Sequence, residues 1–374
     1  MCIALVFCGG VCQLPAEWRV GELGAVTLSL EATAKSSSNV FLDEDEVSDF
    51  IFSSTPKVQF RASEGYASID AFLGLELQRY AELTEYDAEN IRSGLSIRLP
   101  DEPNGEIFQG SLDLGYNGST AADADLQAVV EKHIFNTDFA GRYMVSEYFN
   151  IRSGLSYRDS QSEDAIYADV TTWSAPLALY YQVDEALSVG AGYRWRHTDS
   201  RSSLESTETL DHAFYFGVED LISPLVQYEL QVGFQFRDVL EGDGLKDDSG
   251  VYLQSSLHWF ITDRTQFDVE LGNEFGNTMG NQLSEILYTD LSLTHQLDAR
   301  LRATVGVAYQ NTDYDEMSGS RTDTEYRAYW GATYTLIENR LILSGQLSWT
   351  SRDSTQSSAT YDLLEAALRC EYIY

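Results

Sequence analysis

Positive charge is scarce in this chain. It has 24 Lys and Arg against 59 Asp and Glu, a formal net charge of −35 over 374 residues. Binding nucleic acid needs a basic footprint for the phosphates, so that class of partner is excluded. Long hydrophobic runs are missing as well. Beyond the first residues no stretch of about 18 apolar residues occurs, which excludes transmembrane helices. A mean hydropathy of −0.25 does not exclude a membrane. Alternating apolar and polar positions cancel in such an average. Cysteine is confined to Cys2, Cys8, Cys12 and Cys370. Ligands or bridges spread through the body of the fold are absent, so neither a disulfide framework nor a zinc site is supported.

Catalytic signatures are missing too. The sequence has no G-x-S-x-G elbow, P-loop, H-E-x-x-H pair or G-x-G-x-x-G turn. Its histidines, His133, His197, His212, His258 and His295, lie far apart without ligand spacing. Asp211–His212 has the residue types of a hydrolase dyad, but such a pair at a strand start reads first as solvated surface. No enzyme is expected.

Tyrosine, by contrast, is abundant at 23 residues, with Pro at only 6. Short runs rich in Gly, Ser, Thr and Tyr suggest strands rather than helices. From about Leu23 to the end, apolar and polar residues alternate with the period of a strand. Val226, Tyr228, Leu230, Val232, Phe234 and Phe236 oppose Gln227, Glu229, Gln231, Gly233, Gln235 and Arg237. Leu187, Val189, Ala191, Tyr193 and Trp195 oppose Ser188, Gly190, Gly192, Arg194 and Arg196. The segments run to about ten to fourteen residues, longer than the usual five or six of globular strands. That length suits a tilted strand crossing a bilayer. Tyr193, Trp195, Tyr309 and Trp349 lie where aromatic girdles would form.

These features predict an all-β fold, a single closed antiparallel transmembrane β-barrel. Strands are expected near 23–33, 48–60, 66–79, 88–98, 105–117, 131–146, 150–159, 165–182, 187–198, 208–221, 225–238, 249–262, 265–276, 282–295, 299–312, 321–336, 340–351 and 357–374. That makes 18, with 16 as the alternative because the region from Asp123 to Val145 is ambiguous. Connections sort by length. Val183 to Ala186, Leu221 to Leu225, Ile261 to Arg264, Leu297 to Arg300 and Ile337 to Arg340 are short, as periplasmic turns are. Asp199 to Thr207, Asp238 to Gly250, Tyr314 to Arg321 and Asp353 to Ser358 are longer and acidic, as extracellular loops are. One nine-residue stretch is written almost twice, NIRSGLSIR at Asn90 to Arg98 and NIRSGLSYR at Asn150 to Arg158. In an 18-strand count the two copies run in opposite directions, so shared strand chemistry explains them better than a duplicated hairpin.

The start, MCIALVFCGGVCQLPAEW, reads as an apolar signal core without its basic leader. Residues 1–16 are expected to be a truncated signal peptide, cleaved near Ala16, and 17–374 the barrel. The other end, YDLLEAALRCEYIY, alternates up to Tyr374 and resembles the C-terminal signal read by the outer-membrane barrel-assembly machinery. Expected partners are therefore outer-membrane lipid and that machinery. A homotrimer is a common arrangement for such barrels, though no interface is legible.

Several stretches resemble a bacterial outer-membrane β-barrel porin family. They are SSSNVFLDEDEVSDFIFSSTPKVQF at Ser36 to Phe60, GLSYRDS at Gly154 to Ser160, GYRWR at Gly192 to Arg196, and YTLIENRLILSGQLSW at Tyr334 to Trp349. The resemblance extends over about Leu23 to Tyr374. It implies an outer-membrane barrel with no catalytic residues. Some relatives sit beside exopolysaccharide genes, which implies polymer export as one role.

On the inward side the barrel would place Arg92, Arg152, Arg194, Arg196, Glu229, Arg237, Asp268, Glu270, Arg302, Arg327, Glu365, Arg369 and Glu371 as pore-lining charges. Carboxylates are hard ligands, so Asp43, Asp45, Asp243, Asp247, Asp313 and Asp315 are the candidates for holding Ca²⁺ or Mg²⁺ in the loops. None has EF-hand spacing, and solvated loop is the plainer reading. The functional expectation is a porin-like channel for passive diffusion of small polar solutes, cation-preferring by its net charge. The alternatives are an exopolysaccharide export barrel and a non-conducting structural or adhesive barrel.

Overall fold

The computed structural model describes residues 18–374 apart from 22–23, 65, 101–106, 185, 224, 243–244 and 317–318. The expected signal segment, with Cys2, Cys8 and Cys12, lies outside the described residues.

A two-residue bridge, β1 (Trp18–Arg19), pairs with the foot of the next strand. The wall then consists of β2 (Ala25–Ser37), β3 (Asp49–Glu64), β4 (Ala67–Tyr80), β5 (Ala88–Leu99), β6 (Phe108–Asp123), β7 (Ala128–Met144), β8 (Phe149–Ser162), β9 (Asp169–Gln182), β10 (Leu187–Arg201), β11 (Ser206–Ser223), β12 (Val226–Glu241), β13 (Asp248–Thr262), β14 (Thr265–Asn277), β15 (Leu283–Gln296), β16 (Leu301–Glu316), β17 (Gly319–Ile337), β18 (Leu341–Ser354) and β19 (Tyr361–Ile373). Every neighbour pair is antiparallel and consecutive. Pairing of β19 with β2, from Glu365↔Ser37 to Ile373↔Ser29, closes the ring of 18 strands. Closure leaves no unpaired sheet edge, the condition for placing strands in lipid.

The wall is inside out relative to a soluble protein. Phe216 is 76% exposed, Phe234 66% and Leu368 71%, all on the outer face, whereas Arg237 is 2% and Gln235 1% exposed on the inner one. Alternation along β11 and β12 produces this directly, because successive side chains leave opposite faces of a strand. In water such a belt would be a very large apolar patch. In a bilayer it is the lipid contact. Aromatic pairs edge the belt at both ends. Phe149 and Tyr181 lie toward the short-turn end, and Tyr157 and Trp173 toward the other. Tyr181 and Trp173 share β9 eight residues apart, about 26 Å along the strand and less when tilted. That fits an apolar band of about 25 Å.

All 18 expected strands are present, including the region from Asp123 to Val145, which forms the end of β6, a tight hairpin and β7. The twin stretches lie in β5 and β8, three steps apart in the ring, and so run in opposite directions. Their chemistry is the same. Asn90 and Asn150 are buried, and each is followed by an inward arginine bound to a carboxylate.

The outer connections differ from expectation. Three of the four acidic segments read as long loops are more than half strand, while Asp353 to Ser358 lies mostly between β18 and β19 as expected. β10 continues to Arg201 before β11 starts at Ser206, and β16 and β17 are separated only by residues 317–318. Hydrophobic alternation reports contact with lipid. Backbone pairing continues past the lipid into water, where polar side chains are free to sit on both faces. The longest loop is 38–48 between β2 and β3. At the opposite end every connection but 100–107 is of two to four residues, and short turns mark the periplasmic end in outer-membrane barrels. There Asp184 accepts backbone N–H bonds from Leu187 and Ala186, both at 2.8 Å. Those bonds hold its carboxyl below the usual range.

Candidate functional site: the barrel lumen

Most expected pore-lining charges are engaged. Arg92 donates to Glu76 at 2.6 Å. Arg152 forms a two-pronged pair with Glu219, donates through Nε to Asn150 at 3.1 Å, and lies 4.2 Å above the Tyr180 ring. Asp268 takes His258 and Gln266, and Glu229 takes Gln231 at 2.7 Å. Glu365 holds Lys35 at 3.0 Å. Arg369 lies 2.6 Å from Glu31 and 3.5 Å from Glu371. Arg194 and Arg327 rest on aromatic rings instead, those of Tyr252 at 4.9 Å and Tyr329 at 5.5 Å. Arg302 donates to Gln296 at 3.3 Å. Glu270 lies opposite Asp290 in the ladder.

Tyr180, Tyr215 and Tyr252 fill one arc of the lumen. They fit because the neighbouring strands are cut away beneath them. A Cβ on Gly192 would come within 2.3 Å of the Tyr215 ring.

Two charge clusters dominate the outer half. In the first, Asp211 of β11 lies between Arg196 of β10 and Arg237 of β12. Arg196 donates to it at 2.9 and 2.7 Å, and Arg237 at 2.7 and 3.0 Å. The remaining guanidinium donors end on backbone carbonyls of β14, Arg196 on Phe275 and Arg237 on Gly276 at 3.0 Å. Glu274 lies 3.6 Å from Arg196. His212 is on the opposite face of the same strand, with its Nδ1 2.6 Å from the Tyr193 hydroxyl. The Asp–His neighbours therefore point away from each other and form no dyad.

In the second cluster Asp323 lies between Arg321 of its own strand, at 2.9 and 2.5 Å, and Arg352 of β18, at 3.0 Å through Nε. One more acid completes it. Asp125, from the β6–β7 hairpin, accepts from Arg352 at 2.8 Å and from the Tyr314 hydroxyl at 2.6 Å, and lies 3.8 Å from Arg321. β7 and β16 stand nine steps apart in the ring of 18, so this hairpin reaches the wall opposite its own. The hairpin is braced for that reach. Asp123 accepts the N–H groups of Asp125 and Leu126 at 3.0 and 3.1 Å and pairs with Lys132. Gln127 takes a left-handed φ of 53°. Other outer connections converge on the same mouth. Ala168 donates its N–H to Met279 at 2.8 Å, and Ser203 donates to Ala165 at 2.9 Å. The outer mouth is thus strapped by hairpins, whereas the described connections at the periplasmic mouth are short turns that make no such crossing.

Five of the six acids proposed for metal binding lie among the described residues. Asp43 and Asp45 belong to the loop 38–48, where Asp43 caps the Asp45 N–H at 3.1 Å. Asp247 caps Val239 at 2.9 Å. Asp313 and Asp315 are strand residues of β16, Asp313 accepting from Thr322 at 2.7 Å. Asp243 lies outside the described residues. Among the described residues the group with ligand atoms close enough to share an ion is Glu131, His133 and Glu163.

Comparison with known proteins agrees with this architecture. Residues 211–370, from β11 into β19, match the family model described as "Putative beta-barrel porin 2". The chain is a porin-like outer-membrane β-barrel. Of the stretches that carried the resemblance, Tyr334 to Trp349 lies inside the match. In structure the barrel is similar to OccK2 (OpdF) of Pseudomonas aeruginosa, with a TM-score of 0.51 at 9% identity, covering 93% of this chain and 97% of that one. OpdK of the same organism, solved with vanillate, gives 0.48 at 11% identity, covering 93% and 98%. OccAB3 of Acinetobacter baumannii gives 0.48 at 10%, covering 93% and 99%. At such identities the likeness to OccK2 is one of fold. No curated protein matches the chain in sequence.

Sequence reading missed Asp125, Asp323, Arg321, Arg352 and Glu219. The outer residues of β17 and β18 lie beyond the alternating belt and carried no inward or outward signal. Glu219 was legible in principle, since it shares the inward parity of Asp211 and Tyr215.

Proposed function

We propose that this barrel is a passive pathway for small polar solutes, with the β6–β7 hairpin as the closure of its outer mouth. The observation that carries the reading is the Asp125 contact. Its hairpin crosses the lumen, and its carboxylate neutralises the opposite wall. The lumen beneath is lined by paired charges and amides, a lining suited to hydrated solutes. A lumen for apolar cargo would not keep so many ionised groups. The carboxylates and guanidinium groups serve as one another's partners, and the reading gives them a structural role.

Liposome swelling tests this reading. Proteoliposomes of the full chain should admit arabinose slowly. The Asp125→Asn variant should admit it several-fold faster, and both should exclude a tetrasaccharide. If neither protein admits arabinose above empty liposomes, the barrel is not a diffusion pathway.

A further inference from the structure

Glu131 and His133 stand on the outer half of β7, away from the charge clusters of the lumen. Glu163 opens the connection 163–168 between β8 and β9. The ligand atoms of the three lie within 4.8 Å of one another. Residues 131 and 133 share the parity of Phe135, whose exposed ring meets Tyr157 in the outer girdle. His133 is therefore on the outer face, about 7 Å beyond the girdle along the strand.

The group is arranged as ligands are. His133 is held through Nδ1, 3.0 Å from the Tyr116 hydroxyl, with the two rings stacked at 6.1 Å. That contact fixes the imidazole and turns Nε2 toward the acids, as an outer partner does for a metal-bound histidine. Nε2 lies 3.4 Å from Oε1 of Glu163. A charge-assisted N–H···O bond is shorter, about 2.7–2.9 Å. Two ligands of one tetrahedral zinc ion stand about 3.3 Å apart when their bonds to it are about 2.0–2.1 Å. The backbone also holds the acids together, Glu163 donating its N–H to the Glu131 carbonyl at 3.3 Å. Among the described residues no Lys or Arg pairs with either acid. Lys132 points to the other face and pairs with Asp123. Gln161, opposite His133 in the ladder, donates to Asp159 at 2.9 Å, and Thr171 donates to the same carboxylate at 3.0 Å. Thr120 and Gly118, opposite Glu131 and His133 on β6, are uncharged. Two carboxylates thus share one imidazole, and a divalent ion between them would neutralise both.

We propose that Glu131, His133 and Glu163 form a site for a divalent transition-metal ion of the zinc class, with three protein ligands and a fourth position open. The imidazole selects such an ion over Mg²⁺, which prefers all-oxygen octahedra. The ion fastens the connection 163–168 to β7. Two further outer connections lean on that segment, Ser203 donating to Ala165 and Ala168 donating to Met279. The site therefore stiffens the outer mouth from the outside of the barrel, and it does not depend on conduction through the lumen.

The test is isothermal titration of the refolded full chain in detergent micelles with zinc chloride, after alkylation of its cysteines so that thiolates do not compete. Zinc should bind saturably, and magnesium at least about tenfold more weakly. His133→Ala and Glu163→Gln should each weaken zinc binding by about tenfold or more. Glu44→Gln, which removes an acid of the loop 38–48, should leave it unchanged. Zinc should also raise the urea midpoint of the wild type and not that of His133→Ala. Heat-shifted gel migration checks that each variant is folded. If His133→Ala does not fold, Glu163→Gln and the magnesium comparison still decide. Zinc binding unaffected by the substitutions, equal binding of zinc and magnesium, or a loss in Glu44→Gln as large as in Glu163→Gln would reduce the group to diffuse acidic surface and overturn the proposal. So would the absence of saturable zinc binding to the wild type.

Discussion

The lumen holds two clusters built from the same three ions, one Asp between two Arg. In the first, Arg196, Asp211 and Arg237 come from three adjacent strands, and carbonyls of β14 take the spare donors. In the second, Arg321, Asp323 and Arg352 come from β17 and β18, and the spare donors go to Asp125 on a hairpin from the far wall. An aromatic ring supports an arginine in each, Phe275 under Arg237 at 4.7 Å and Tyr314 under Arg321 at 4.6 Å. The difference lies in what completes them. The wall completes the first cluster, making it a brace. A connection completes the second, making it a latch. One buried acid for two buried arginines leaves a unit of positive charge. Where that charge is satisfied decides whether the cluster stiffens the barrel or closes it.

The largest expected effect comes from breaking the brace. Asp211→Ala leaves two buried guanidinium groups facing each other, at a cost of about 3–5 kcal/mol. Urea unfolding in micelles should show that loss, and an unchanged midpoint would reduce the brace to a surface pair. Next is the packing beside it. Gly192→Ala forces the Tyr215 ring off its seat and should cost about 1–3 kcal/mol by the same measurement. A neutral result would mean that the ring has a second place to lie. Asp125→Asn should cost less than either, about 1 kcal/mol, because Asp323 still serves both arginines. A loss as large as that of Asp211→Ala would make the hairpin part of the brace. The smallest effect belongs to His212→Ala. It removes one outward hydrogen bond to Tyr193, worth about 1 kcal/mol or less, with no change in solute flux. Loss of flux would return His212 to the functional residues.

How far the sequence reaches depends on which face writes the pattern. Lipid demands an apolar residue at every second position, so Val226 to Phe236 and Leu187 to Trp195 announced their strands and faces without ambiguity. The inward parity of Arg152, Arg194 and Arg237 followed from the same alternation. Which charges pair is a matter of ring geometry. Arg152 reaches Glu219 on β11, three strands along the ring, and no local spacing encodes that distance. Asp125 is harder still. It lies in AADADLQ, a stretch with no alternation to mark an inward face, and its partners come from a strand 189 residues later and another 227 residues later. The duplicated NIRSGLS stretch marks the boundary. Its Asn and Arg signalled a recurring inward pair, while the acids that answer them, Glu76 and Glu219, were set by the fold.

Single-channel recording in a planar bilayer, comparing the wild type with Asp125→Asn, tests the latch most directly. Wild-type channels should be predominantly closed with brief openings. The variant should raise the open fraction by about tenfold, within the range of a coupling of 1–3 kcal/mol, and leave the unitary conductance unchanged. Equal open fractions in the two proteins, or steady full conductance in the wild type, would contradict a mouth held shut by Asp125.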